Sequence, residues 1–91
     1  MELSVKRKTD RELIIHIKGE GHTLGNLIAK TAMANPHVVF ASYRIPHPLR
    51  ETMELIIEVE EGYPIDKVLM EIVGDIKKKL SEFKRLVEEK L

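Results

Sequence analysis

An α+β fold is predicted, a two-layer sandwich in which a four-stranded, mostly antiparallel sheet carries two helices on one face. Three observations predict it. Four segments read as strands, three by alternation of apolar and other residues and one by its β-branched and aromatic content. Two segments carry apolar residues three or four positions apart, the spacing of one helical face. The six segments follow one another as ββαββα with only short turns between them, so residues 1–91 are read as a single domain.

Leu3 and Val5 alternate with Glu2, Ser4 and Lys6, the period of a half-buried strand. Thr9, Asp10 and Arg11 have turn chemistry, and Leu13, Ile15 and Ile17 then form a second strand returning antiparallel to the first. Gly19 and Gly21 end it. Thr23 is placed to cap a helix running to about Ala34, its hydroxyl accepting an amide N–H two or three residues on. Leu24, Leu27, Ile28, Thr31 and Ala32 share one face of that helix, and Asn35 before Pro36 stops it. Residues 38–45 form the third strand, broken by Pro46, His47 and Pro48. Met53, Leu55, Ile57 and Val59 make the clearest strand of the set. After a turn at Glu61, Gly62 and Tyr63, Pro64 suits the first turn of the last helix.

That helix carries Ile65, Leu69, Ile72, Ile76, Leu80, Phe83, Val87 and Leu91 in one stripe, widened by Val68, Val73 and Leu86. It would be roughly 40 Å long at 1.5 Å per residue. A sheet of four eight-residue strands measures only about 26 Å by about 19 Å. The stripe therefore outruns what its own sheet covers, and Leu80, Phe83, Val87 and Leu91 need another partner. In the first helix Gly25, Ala29, Ala32 and Ala34 are small enough for close approach. The candidate partner interface is thus Leu24, Leu27, Ile28, Thr31 and Ala32 of the first helix with Ile76, Leu80, Phe83, Val87 and Leu91 of the second. Two such chains would bury more than the standard interface of about 1,600 Å².

Composition agrees with an interaction domain. A 91-residue chain buries only about 60–65% of its unfolded surface, so domains of this size draw on disulfides, metals or oligomerisation. The chain has no cysteine, which leaves oligomerisation and suits a reducing, cytoplasmic setting. The polar start, Met1 to Ser4, is not that of a signal peptide, and no apolar run is long enough to span a bilayer. Fifteen basic and fifteen acidic residues give a net charge of zero, without the excess of a free-standing nucleic-acid binder. Lys and Glu dominate those charges, a bias found in hyperthermophiles.

No pattern of catalysis emerges. His16, His22, His37 and His47 lack the close pairing of zinc ligands. Ser4, Ser42 and Ser81 sit in no nucleophile elbow. Gly19, Gly21 and Gly25 have neither the spacing nor the parallel βαβ setting of a dinucleotide loop. Glu58, Glu60 and Glu61 read as surface charge. The runs Lys6-Arg7-Lys8 and Lys77-Lys78-Lys79 lack interleaved aromatics for stacking bases and read as solvated faces. Neither a catalytic residue, a metal ligand nor a cofactor site is expected.

One set of motifs is more specific. His22-Thr23-Leu24-Gly25-Asn26 after Gly21, then Asn35-Pro36, Phe40-Ala41 and Tyr43-Arg44-Ile45-Pro46-His47-Pro48-Leu49, resemble archaeal RNA polymerase subunit L and its eukaryotic counterparts, and the similarity spans essentially the whole chain. The first block also resembles the amino-terminal domain of the bacterial alpha subunit, where a Leu-Arg-Arg sequence stands in place of Ile28-Ala29-Lys30. The longer D subunit of archaeal polymerase keeps such an arginine pair and an inserted domain, and this chain has neither. The resemblance implies an alpha-like dimerisation fold and a non-catalytic subunit of DNA-dependent RNA polymerase in transcription. Such a protein heterodimerises with the D subunit, and the pair is the assembly platform for the two large catalytic subunits. DNA and RNA are then met only within the whole polymerase, with no small-molecule ligand and no membrane. The alternative from the residues alone is a small nucleic-acid-binding or homodimeric interaction module.

Overall fold

The computed structural model describes residues 1–47 and 50–91, so Pro48 and Leu49 of the predicted strand exit lie outside the described residues. The elements are β1 (Glu2–Lys8), β2 (Glu12–Lys18), α1 (His22–Met33), β3 (Val38–Arg44), β4 (Thr52–Val59) and α2 (Ile65–Lys90). The ββαββα order and the α+β sandwich are as expected. The four strands form one sheet in the order β1-β2-β4-β3, every neighbouring pair antiparallel. Strand β4 thus inserts between β2 and β3, which run parallel, and α1 carries the chain from one to the other across it.

Register decides which side chains share the core. Leu13 pairs with Ile57, Ile15 with Leu55 and Ile17 with Met53. Paired residues point to the same side of a sheet, so these six form one apolar layer on the two central strands. Ile65, Val68 and Ile72 of α2 and Ala32 of α1 close over that layer. Leu24, Ile28, Ala41, Tyr43, Leu69 and Ile76 pack around its rim.

Helix α1 starts earlier than a cap at Thr23 predicts. Gly21 is the N-cap, its carbonyl accepting the Gly25 amide at 3.0 Å, and no side chain caps the helix. Gly21 has non-helical backbone angles and leads directly into the helix, which puts Thr23 inside the first turn. Pro64 likewise precedes α2 as its N-cap instead of entering its first turn. The stop of α1 holds as read, with more behind it than proline. Asn35 is buried; its Oδ1 accepts the His37 amide at 2.9 Å and its Nδ2 donates to Glu71 Oε1 on α2 at 3.3 Å. One side chain therefore ties the end of α1 to the start of β3 and to α2.

Gly25 makes its close approach to the sheet, not to a neighbouring helix. A β-carbon there would lie 2.5 Å from Tyr43 Cδ2 and 2.7 Å from its Cγ. The same ring is held at its other end by His22, whose Nδ1 is 3.3 Å from the Tyr43 hydroxyl. The motif residues His22, Gly25 and Tyr43 thus form one contact that seats α1 on β3.

Strand β1 departs from expectation. Leu3 and Val5 alternate as predicted, yet every residue of the strand is exposed. Leu3 pairs with Ile17 and Val5 with Ile15, so both point to the helix-bearing side. There they remain 57% and 56% exposed, because α1 lies over β3 and β4, and α2 packs on α1 and β4.

Two glycine substitutions should behave oppositely in urea unfolding. Gly25→Ala should destabilise by about 1–2 kcal/mol, since the Tyr43 ring has to move. Gly74→Ala, whose added β-carbon meets nothing within 4 Å, should stabilise by about 0.5–1 kcal/mol. A neutral or stabilising Gly25→Ala would mean that the ring contact does not seat the helix.

Candidate functional site

The second half of α2 presents an unpartnered apolar surface. The helix's first three turns are anchored by Ile65, Val68 and Ile72, with Leu69, Val73 and Ile76 half-buried, and every residue from 77 onward is exposed. The apolar stripe does not stop with the contacts. Phe83 follows Ile65 by eighteen residues, five turns of 3.6, and so lies in line with it; Leu86 is likewise in line with Val68. Leu80 and Phe83 are 61% and 57% exposed, and Leu86, Val87 and Leu91 are exposed as well. They face the same side of the helix as the residues packed on the sheet, beyond the sheet's edge.

The shape of the molecule records this projection. Its radius of gyration is 14.3 Å, against roughly 12 Å for a compact domain of the same length, and its extents are 45 × 37 × 17 Å. A detached helical stretch of about fourteen residues is marginal in water. Burying Leu80, Phe83, Leu86, Val87 and Leu91 would be worth about 1–2 kcal/mol each.

The other predicted interface residues divide into two groups. Leu24, Leu27, Ile28 and Ile76 are half-buried and keep some area toward the surface. Thr31 and Ala32 do not: they are 2% and 0% exposed in the chain's own core, Thr31 donating from Oγ1 to the Leu27 carbonyl at 2.7 Å. Helical spacing places them on the apolar face correctly, but that face is used up by the sheet beneath it. Leu3 and Val5, and also Met33 and Met70, are exposed beside these elements and carry no signal of it in their spacing.

Among the described residues the opposite face of the sheet carries no helix. Across three of its four strands His16 of β2, Glu54 of β4 and Arg44 of β3 are in register as cross-strand neighbours. Glu54 is buried, and both its oxygens are used: Oε2 accepts from His16 Nε2 at 2.8 Å, and Oε1 from Arg44 Nε at 2.6 Å. The hydrogen bond from Arg44, and then that from His16, hold the Glu54 carboxyl below its usual range against the burial that pushes it up. The outer face is where alternation puts His16, but alternation marks Glu54 only as an outward residue. The signal that finds the pair is the register, which brings two positions 38 residues apart in sequence into contact.

The remaining motif residues are structural or exposed. Asn26 and Pro36 lie on the surface of the α1 region. His37 stacks on Tyr63 with ring centres 3.7 Å apart, and Pro46 and His47 follow β3. In the first basic run Arg7 pairs with Glu12 at 2.9 Å and Lys8 with Asp66 at 2.7 Å. Among the described residues no group of three or more His, Cys, Asp or Glu is placed to hold a metal ion, and no helix is long and apolar enough to cross a membrane.

Comparison with known proteins gives a consistent result. Residues 12–86 match the family described as the RNA polymerase Rpb3/Rpb11 dimerisation domain. The chain is 35% identical over 77 residues to DNA-directed RNA polymerase subunit Rpo11 of Metallosphaera sedula, covering 85% of this chain and 86% of that protein. It is 43% identical over 68 residues to the probable DNA-directed RNA polymerase II subunit RPB11 of Plasmodium chabaudi chabaudi, covering 75% of this chain and 53% of the relative. The fold is similar to the crystal structure of DNA-directed RNA polymerase subunit L from Thermoplasma acidophilum, with a TM-score of 0.81, 18% identity, and coverage of 97% and 86%.

Loss of the Glu54 charge should be read most clearly by acid. A carboxyl lowered in the folded state stabilises fully above the ordinary carboxylate range near pH 4. That contribution is lost as pH falls through the lower folded value. Glu54→Gln should therefore be less stable than the parent at pH 7, and the gap should close as pH is taken below about 4. Urea midpoints across that range measure it; a gap independent of pH would remove the charge of Glu54 from the account.

Proposed function

This chain belongs to the Rpb3/Rpb11 dimerisation-domain family of RNA polymerase subunits, and on that premise we propose that it pairs with the polymerase's D subunit through its two helices. As a polymerase subunit it acts within the complex and not as a free-standing enzyme. The observation that carries the pairing is the exposed stripe on residues 77–91 of α2, continuous with the stripe buried on the chain's own sheet. Its partner must present an apolar surface at the level of that sheet. The D subunit is the partner that the sequence motifs imply, and the heterodimer then serves as the platform on which the large subunits assemble.

The uncovered side chains of β1 support a reciprocal arrangement. Leu3 and Val5 form a shelf on the helix-bearing side where a partner's long helix fits, while α2 of this chain lies over the partner's equivalent strand. Each domain then completes the other's core. Obligate interfaces have this large, apolar character. Leu24, Leu27, Ile28 and Ile76 contribute at the centre, and Leu80, Phe83, Val87 and Leu91 at the distal end. Thr31 and Ala32 support α1 from beneath.

Co-expression with the D subunit should give a 1:1 complex by mass measurement, and Leu80→Glu or Phe83→Glu should abolish it while leaving the sheet folded. Pairing unimpaired in both variants would overturn the assignment. Hydrogen exchange gives an independent check: amides of residues 78–90 should exchange rapidly in the isolated chain and become protected in the heterodimer. Equal protection in both states would place the interface elsewhere.

A further inference from the structure

Pro46 and His47, which follow β3, belong to the signature and have no role in helix pairing. They border a cavity of about 360 Å³ on the outer face of the sheet, walled also by Arg44, Arg50 and Thr52 over the His16–Glu54 pair. We propose that this cavity docks a carboxylate-bearing segment of another polymerase subunit, received by Arg44 and Arg50.

Three features of the site lead to that ligand. First, Glu54 engages Arg44 through Nε alone, and the Arg44 side chain remains 66% exposed. A buried carboxylate therefore holds the guanidinium at Nε, and Nη1 and Nη2 make no ion pair among the described residues. The edge they form matches a second carboxylate in the two-bond geometry that arginine favours. Second, Glu54 neutralises only one of the two guanidinium groups. Arg50 forms no ion pair among the described residues, and Lys18, in register with Thr52, adds another cation on the same face. Third, the site disfavours a nucleic-acid backbone. Its floor is itself a carboxylate, its walls contain no Phe or Tyr to stack a base, and the chain has no net positive charge. One carboxylate fits one free arginine edge beside one unpaired arginine.

The site lies on the side of the sheet away from the helices, so a segment docked there does not compete with pairing through α1 and α2. The inference rests on the premise that the chain works inside a multi-subunit polymerase, and it survives if the helical partner proves to be other than the D subunit.

The test uses the assembled polymerase carrying Arg50→Lys. An amine at that position can be coupled by a water-soluble carbodiimide to a carboxylate in direct contact, whereas the parent arginine cannot. Mass spectrometry should find position 50 joined to an Asp or Glu of another subunit. Failure to find that adduct, while lysines of α2 couple to neighbouring subunits in the same sample, would overturn the proposal. As a second measurement, Arg50→Glu on a tagged chain should lower recovery of the large subunits about tenfold or more at moderate salt. Recovery of the helical partner should not change. Undiminished recovery of the large subunits would count against the site. So would a loss that disappears after nuclease treatment, which would assign the site to phosphate.

Discussion

The rest of the structure depends on a mismatch of length. A helix of 26 residues carries one apolar stripe from end to end, and the sheet beneath it covers only the first half. The proximal half is fixed by the layer that β2 and β4 build, the distal half by nothing among the described residues. A small domain gains little by burying more of itself, because its surface is large relative to its volume. Here the missing burial is set out on one side, in line with the residues already packed. The hydrophobic effect that folds the first half of α2 is thus the same driving force that is available for association in the second.

The two edges of the sheet are managed differently. On β3 the small residue Gly25 lets α1 sit close enough for the Tyr43 ring to wedge beneath it, and His22 holds the ring's hydroxyl. On β1 no helix arrives, and the strand presents Leu3 and Val5 to the open. The outer face has its own device, a carboxylate buried between a histidine and an arginine from neighbouring strands. Buried charges are costly unless fully bonded, and Glu54 meets that condition with both oxygens. It clamps the three strands β2, β4 and β3 in one register while keeping Arg44 oriented toward solvent.

Much of this is legible in the chain, for reasons that differ by element. Strand β4 is the clearest because Met53, Leu55, Ile57 and Val59 keep every second position apolar, and α2 is clear because its stripe holds the helical period over about seven turns. The cap of α1 is misleading in sequence because Thr23 has the right side chain, whereas the first turn is organised by the backbone of Gly21. Thr31 and Ala32 fall on the correct face, but spacing cannot say whether a face is covered by the chain itself or by a partner. Glu54 looks like any outward residue of an alternating strand until His16 and Arg44 are found on either side of it.

The sequence by itself determined the six elements, the α+β class, the family resemblance and the excess length of the apolar stripe. All of these are local: they follow from periodicity, turn chemistry and motifs read along contiguous residues. The tertiary structure alone decided the strand order β1-β2-β4-β3, and with it the exposure of β1, the wedge of Tyr43 against Gly25 and the meeting of His16, Glu54 and Arg44. Those depend on which distant segments pair and in what register. Alternation is satisfied equally well by a covered strand and an uncovered one, so only the assembled sheet shows that β1 is left open where the stripe of α2 needs a partner.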